Sequence, residues 1–148
     1  MRCFLTQLPI KNMDIIEILK QDYQRFPAAP TYSIYAENVY FRDPMTQFRG
    51  IKRYQQMIDF MANWFKQIQL DLHDINQDGN TIKTRWTLSW TTPLPWQPRI
   101  HISGTSELLL NADGKIESHI DYWDISRLQV LQQHLKTGPS SPKPPKTS

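Results

Sequence analysis

Asp43, His119 and Asp121 are the residues best suited to proton chemistry in this sequence. Asp43 stands in VYFRDP, directly before Pro44, while His119 and Asp121 alternate within ESHIDYWD. In an extended strand, residues two apart share a face at a spacing of ~6.5–7 Å. Alternation therefore sends His119, Asp121 and Trp123 one way, and Ile116, Ile120 and Tyr122 the other. A histidine beside a carboxylate is an acid–base pair in which Asp121 raises the imidazole pKa, and the same pair can hold a polar head group. The competing structural role is an ion pair with Arg85 or Arg99 on a neighbouring strand. Enclosure of Asp43 in apolar surroundings would disfavour its charged form and lift its pKa toward the range of a general base. In the alternative role, Asp43 braces the Asp-Pro turn.

Indole side chains form the second signal. Trp86 and Trp90 flank Leu88 on one face of a period-two run, Ile102 and Ser106 share a face of the next run, and Trp64 closes a helical pattern. Together with Trp123, they either line an aromatic cavity for a flat hydrophobic molecule or fill a large core. Trp96 sits in the proline-rich loop PLPWQP, where it flaps over a cavity mouth or marks a partner surface. No metal or other cofactor is expected. His73, His101, His119 and His134 have no close spacing, the five glycines form no phosphate loop, and Cys3 has no cysteine partner.

The elements that must carry these residues are readable from periodicity. DIIEILKQDYQRF, residues 14–26, has helical spacing, with Asp14 as cap and Pro27 as stop. TYSIYAEN reads as a shorter helical piece, and residues 51–66 as a third helix. From Ile68 onward the period becomes two, through runs at 68–73, 82–90, 100–110 and 116–123. DGN and NADGK mark turns, Gly104 marks a bulge or kink within its run, and SRLQVLQQHL closes the chain as a helix, capped by Ser126 with Asp124. Helices followed by long antiparallel strands define an α+β class with a strongly curved sheet around the N-terminal helices.

The chain has 148 residues, 17 basic and 14 acidic, with a net charge of +3. Two of the lysines, Lys143 and Lys146, lie in the final twelve residues, so the body is close to neutral. That balance excludes the electrostatic footprint of a nucleic-acid binder. No apolar run approaches the ~20 residues of a membrane span. A single cysteine and the lack of a secretory pattern fit a cytoplasmic protein. Residues 1–136 form one expected domain, and 137–148, TGPSSPKPPKTS, an expected disordered tail.

AENVYFRDPMTQFRGIKRYQQM, with its aromatic-x-Asp-Pro and later helix-opening glycine, resembles the nuclear transport factor 2-like superfamily. That superfamily includes ketosteroid isomerase, scytalone dehydratase and the SnoaL-like polyketide cyclases. FRDP, WTLSW, GTSELLLNADGKI and HIDYWD resemble, more narrowly, the domain of unknown function 2358, found mainly in cyanobacteria and plant plastids. The resemblance covers about residues 12–135 and implies a cystatin-like cone enclosing a pocket. In ketosteroid isomerase the matching aspartate, here Asp43, is the general base, assisted by a tyrosine of the first helix and a second carboxyl on a strand. Here Leu19 occupies the helix position, with Tyr23 one turn further on, and the strand position falls near Ser106. That oxyanion hole is therefore not reproduced, and steroid isomerisation is not expected.

The combined expectation is a domain that holds a small hydrophobic molecule (a pigment, tetrapyrrole, isoprenoid or lipid). Trp64, Trp86, Leu88, Trp90, Ile102, Ser106 and Trp123 form its lining. The alternative is an isomerase, dehydratase or cyclase type of enzyme using Asp43, His119, Asp121 and Tyr23. A second alternative is an interaction domain that homodimerises through the outer sheet face.

Overall fold

The computed structural model describes residues 14–136, so Cys3 and the proline-rich segment from residue 137 lie outside the described residues. Helix α1 spans Ile15–Arg25, with the Asp14 carboxylate accepting from the Ile16 amide, and it buries Ile18, Leu19 and Asp22. Asp22 ties the next loop back onto α1 by accepting from the Thr31 amide at 2.9 Å, the Thr31 hydroxyl at 2.8 Å and Arg25 Nη2 at 2.6 Å.

The segment TYSIYAEN departs from the helical expectation. Tyr32–Ile34 make one 3₁₀ turn, and strand β1 runs from Tyr35 to Arg42. The aromatic and β-branched residues Tyr35, Val39 and Phe41 pack inward from that strand. Strand β2, Gln47–Arg49, folds back on β1. Gly50, at φ 114°, turns the chain into helix α2, Ile51–Trp64, which buries Tyr54 and Ile58.

Four long strands follow: β3, Lys66–Asp78; β4, Thr81–Thr91; β5, Arg99–Leu110; and β6, Ile116–Trp123. Helix α3, Arg127–His134, begins with a capping box in which Ser126 and Gln129 satisfy each other's amides. The sheet order is β2-β1-β6-β5-β4-β3, and the sheet is curved and unclosed. The α+β expectation holds with one refinement: β6 returns alongside β1 in parallel, so the sheet is mixed.

Two sequence-derived details change. Gly104 lies in unbroken register between Trp86 and Trp123 and forms no bulge. Its role is close approach, because a Cβ there would run into the Tyr122 carbonyl and lie 3.1 Å from the Trp86 ring. The β5–β6 register shift instead falls between Leu109 and Leu110, which pair with Ser118 and Ile116. Glu117 is the extra residue, and it reverses the alternation, so Ile116 is fully buried rather than outward with Ile120 and Tyr122. The core has two parts. Leu19, Val39, Phe41, Tyr54, Ile58 and Leu108 pack between the N-terminal helices and the sheet. Trp86, Trp90, Ile100 and Ile102 pack with Val130 of α3.

Candidate functional site

A polar row crosses the middle of this apolar interior. Register places Thr84 beside Ser106, and Ser106 beside Asp121, across strands β4, β5 and β6. The Tyr23 hydroxyl reaches down from α1 and shares a 3.0 Å hydrogen bond with Thr84 Oγ1. Trp86 Nε1 donates to Ser106 Oγ at 2.8 Å, and Ser106 donates to Asp121 Oδ1 at 2.5 Å. His119 Nε2 meets that same oxygen at 2.8 Å. A carboxylate only accepts, so Nε2 carries the proton of this bond. Asp121 Oδ1 is thus fixed by two donors, while Oδ2 has no hydrogen-bond partner among the described residues.

His119 is 8% exposed and stands among the rings of Phe41, Tyr54 and Tyr35, with centroids at 5.0, 6.0 and 6.3 Å. Its Nδ1 is buried without a hydrogen-bond partner among the described residues. The tyrosines of this region resist ionisation. Burial, reinforced by Asp121, pushes the Tyr23 hydroxyl up to about 12 even though hydrogen bonds from Thr84 and Ser106 act the other way. Burial also raises Tyr35 and Tyr54, whose hydroxyls bond each other at 3.3 Å.

An open cleft of about 550 Å³ lies at one end of the row, between the β1–β2 turn, residues 42–47, and residues 120–123 at the end of β6. Its origin is the parallel pairing: β1 follows β6 only as far as Arg42 opposite Ile120, then turns away at Asp43-Pro44. Asp121 and Asp43 both line this cleft. Asp43 Oδ1 accepts from the amides of Met45 and Thr46, each at 2.8 Å, so the expected turn-bracing role is present. Burial raises the Asp43 carboxyl above its ordinary value, and Asp121 adds to this. The two amides and His119 oppose the shift. Bracing the turn and facing the cleft are therefore compatible uses of one side chain. A second groove, of about 690 Å³, lies between α1 and β3 and includes Tyr23, Phe26 and Leu72.

The structure joins His119, Asp121, Ser106 and Tyr23 through the polar row and sets Asp43 and Trp123 at the cleft. The remaining candidates fall elsewhere. Trp86, Trp90 and Ile102 are buried in the core under α3 with Leu88 packed against them, and they fill the space expected to be an aromatic cavity. Trp64 is 58% exposed and tilts against Phe60 at the end of α2. The inward stripe runs Tyr54, Ile58, Met61, Phe65, and Trp64 falls one residue short of it. Trp96 does not flap freely, because its indole donates to the His134 carbonyl at 2.7 Å. Arg99 bonds Gln67 O and Thr91 rather than Asp121. No group of metal-ligating side chains occurs among the described residues. Thr84 was missed at the sequence level; its signal was a small polar residue between Ile82 and Trp86 at an inward position.

A curved, unclosed sheet wrapped around helices is the fold of nuclear transport factor 2-like proteins. A nuclear transport factor 2-like protein of unknown function from Exiguobacterium sp. 255-15 matches with TM-score 0.62 and 18% identity, over 76% of this chain and all of its own. An LEH-like epoxide hydrolase of M. tuberculosis matches with TM-score 0.62 and 16% identity, covering 81% and 86% of the two chains. A protein described as a SnoaL-like polyketide cyclase from Jannaschia sp. CCS1 matches with TM-score 0.65 and 11% identity, covering 80% and 89%. The chain itself belongs to the family of uncharacterized conserved proteins DUF2358, matched over residues 13–119. No curated protein matches it.

Proposed function

We propose that this domain binds a small organic molecule in the cleft between the β1–β2 turn and the end of β6. The apolar part of the ligand lies against Trp123 and Met45, and a hydroxyl or similar donor meets Asp43 and Asp121. The observation that carries this reading is the half-engaged Asp121 carboxylate. One oxygen is held by Ser106 and His119, and the other has no partner among the described residues and belongs to a side chain that lines an open cleft. A carboxylate anchored in this way loses little freedom on binding, which favours affinity for a hydrogen-bond donor. Because Trp86 and Trp90 occupy the deep interior, the favoured ligand is isoprenoid- or lipid-like with a polar head, rather than a flat pigment.

A second reading is acid–base catalysis, favoured by the raised Asp43 carboxyl across the cleft from Asp121. Asp121 would take a proton from the ligand and Asp43 would return one, a division of roles open to two carboxyls that line one cleft. Two of the structural neighbours bear the names of an epoxide hydrolase and a polyketide cyclase.

The test is an amide-resolved NMR titration of the full chain with isoprenoid alcohols and short acyl alcohols. Shifts centred on Met45, Thr46, Asp121 and Trp123, lost in Asp121→Ala, support the site. Shifts centred instead on Leu70 and Leu72 of the second groove, or no shifts at all, overturn it.

A further inference from the structure

Helix α3 turns an apolar stripe away from the protein. Val130 faces β5 and is 5% exposed, while Leu128, Leu131 and Leu135 are 62%, 55% and 76% exposed. At about 100° per residue those three leucines fall within an arc of roughly 60° on the opposite side of the helix. Trp96, 41% exposed, is pinned beside the end of this helix by its bond to the His134 carbonyl. His134 is itself anchored inward, with Nε2 on Thr92 Oγ1 at 2.9 Å. The helix is therefore docked by its other face, and the leucines are not waiting to fold into the core.

Charge identifies the partner. From Ile125 to Ser148 there is no aspartate or glutamate, and there are four cationic residues: Arg127, Lys136, Lys143 and Lys146. The nearest acid in sequence, Asp124, precedes the helix at the end away from Leu135 and Lys136. Pairing with a second copy through this helix would bring Arg127 and Lys136 of each copy together with no acid on the helix itself to balance them. An exposed leucine stripe with an indole at its border, on a segment whose own charges are all positive, matches the interfacial zone of an anionic membrane. No helix among the described residues is long and apolar enough to cross a membrane, so the contact is a surface one.

We propose that α3 and Trp96 dock this protein on the surface of anionic phospholipid bilayers. The leucines enter the acyl boundary, Trp96 sits at headgroup level, and Arg127 and Lys136 face the phosphates, while Lys143 and Lys146 add to the positive charge of the segment.

The experiment is co-sedimentation of the full chain with vesicles of phosphatidylcholine alone or phosphatidylcholine mixed with phosphatidylglycerol. Partitioning is expected to rise at least about tenfold with the anionic lipid and to fall back at roughly 1 M salt, where the screening length is about 3 Å. The triple variant Leu128→Ser, Leu131→Ser, Leu135→Ser changes exposed positions and should keep the wild-type circular dichroism while losing more than about tenfold in partitioning. Lys143→Gln with Lys146→Gln, which leaves the helix intact, should weaken binding to the anionic vesicles only. Failure to sediment with anionic vesicles, or equal binding by the leucine variant, overturns the proposal. So does concentration-dependent dimerisation that the leucine variant abolishes, since a second copy would then be the partner.

Discussion

Replacing Ser106 by alanine is the most direct probe of the polar row. The hydroxyl accepts from Trp86 and donates to Asp121, and its residue is 2% exposed. Its removal leaves the Trp86 N–H, on a side chain that is 5% exposed, without its acceptor. An abandoned buried donor costs about 1–3 kcal/mol, and a hydrogen bond to a charged group contributes about 1.5–3 kcal/mol. Asp121 keeps His119 and faces the cleft, where water replaces the lost donor, so the second contribution is discounted. The expected loss is about 2–4 kcal/mol, or a fall in Tm of roughly 5–15 °C for a chain of this size. Urea unfolding followed by circular dichroism measures it, with an unchanged m-value showing that the folded state stays compact. Trp86→Phe on the same background removes the orphaned donor, so the two substitutions should be less than additive by about 1–3 kcal/mol. Ser106→Ala within about 0.5 kcal/mol of the wild type, or strict additivity with Trp86→Phe, would refute the view that Ser106 links the indole to the carboxylate.

Two further outcomes follow from the same geometry. Gly104→Ala should destabilise by about 1–3 kcal/mol or more, because the new methyl meets the Tyr122 carbonyl and the Trp86 ring; thermal unfolding checks this, and an unchanged Tm contradicts it. Asp43→Asn keeps an oxygen for the Met45 and Thr46 amides but cannot ionise. The folded pKa of Asp43 lies above its ordinary 3.8, so the stability that Asp43 contributes is full below that value and is lost as pH rises through the folded one. The Asn variant should therefore gain on the wild type as pH rises, with the gain appearing only above the unfolded carboxyl pKa. A Tm series across about pH 3 to pH 8 tests the sign, and a difference independent of pH contradicts it.

The sequence was most informative where local chemistry decides structure. Asp14 and Ser126 cap their helices because the orphan amides of a first turn need an acceptor, and both were readable. The shared face of His119, Asp121 and Trp123 followed from alternation alone and survives because the Glu117 irregularity comes before it. Ile116, on the other side of that extra residue, was misassigned for the same reason. TYSIYAEN carried apolar residues that fit a helix, yet Pro30 and the pairing of β1 with β6 made it a strand, and that pairing joins segments about eighty residues apart. The cleft was illegible because it exists only where β1 leaves β6. The row Thr84–Ser106–Asp121 was illegible because it depends on the register of three strands, which a single sequence does not state.

The histidine decides between a structural and a functional origin for the row. A buried Nδ1 without a partner works against folding, since an orphaned buried polar atom costs about 1–3 kcal/mol. Phe41, Tyr54 and Tyr35 surround the imidazole, and an aromatic hydrocarbon would suit that box better than a ring with an unsatisfied nitrogen. If the His119–Asp121 pair exists to hold the fold together, removing one partner strands the other and costs about 3–5 kcal/mol. If it exists to hold Asp121 ready at the cleft, the carboxylate retains Ser106 and gains water, while the orphan nitrogen disappears. His119→Phe then changes stability by only about 1 kcal/mol. The same variant should weaken ligand binding at the cleft by roughly tenfold or more, because Asp121 Oδ1 loses one of its two donors and the free oxygen its fixed direction. Urea unfolding and the NMR titration on one sample separate the cases. A stability loss near the upper figure, with ligand shifts preserved, would make the histidine a brace of the β5–β6 wall and leave Asp121 as a carboxylate held by Ser106 alone.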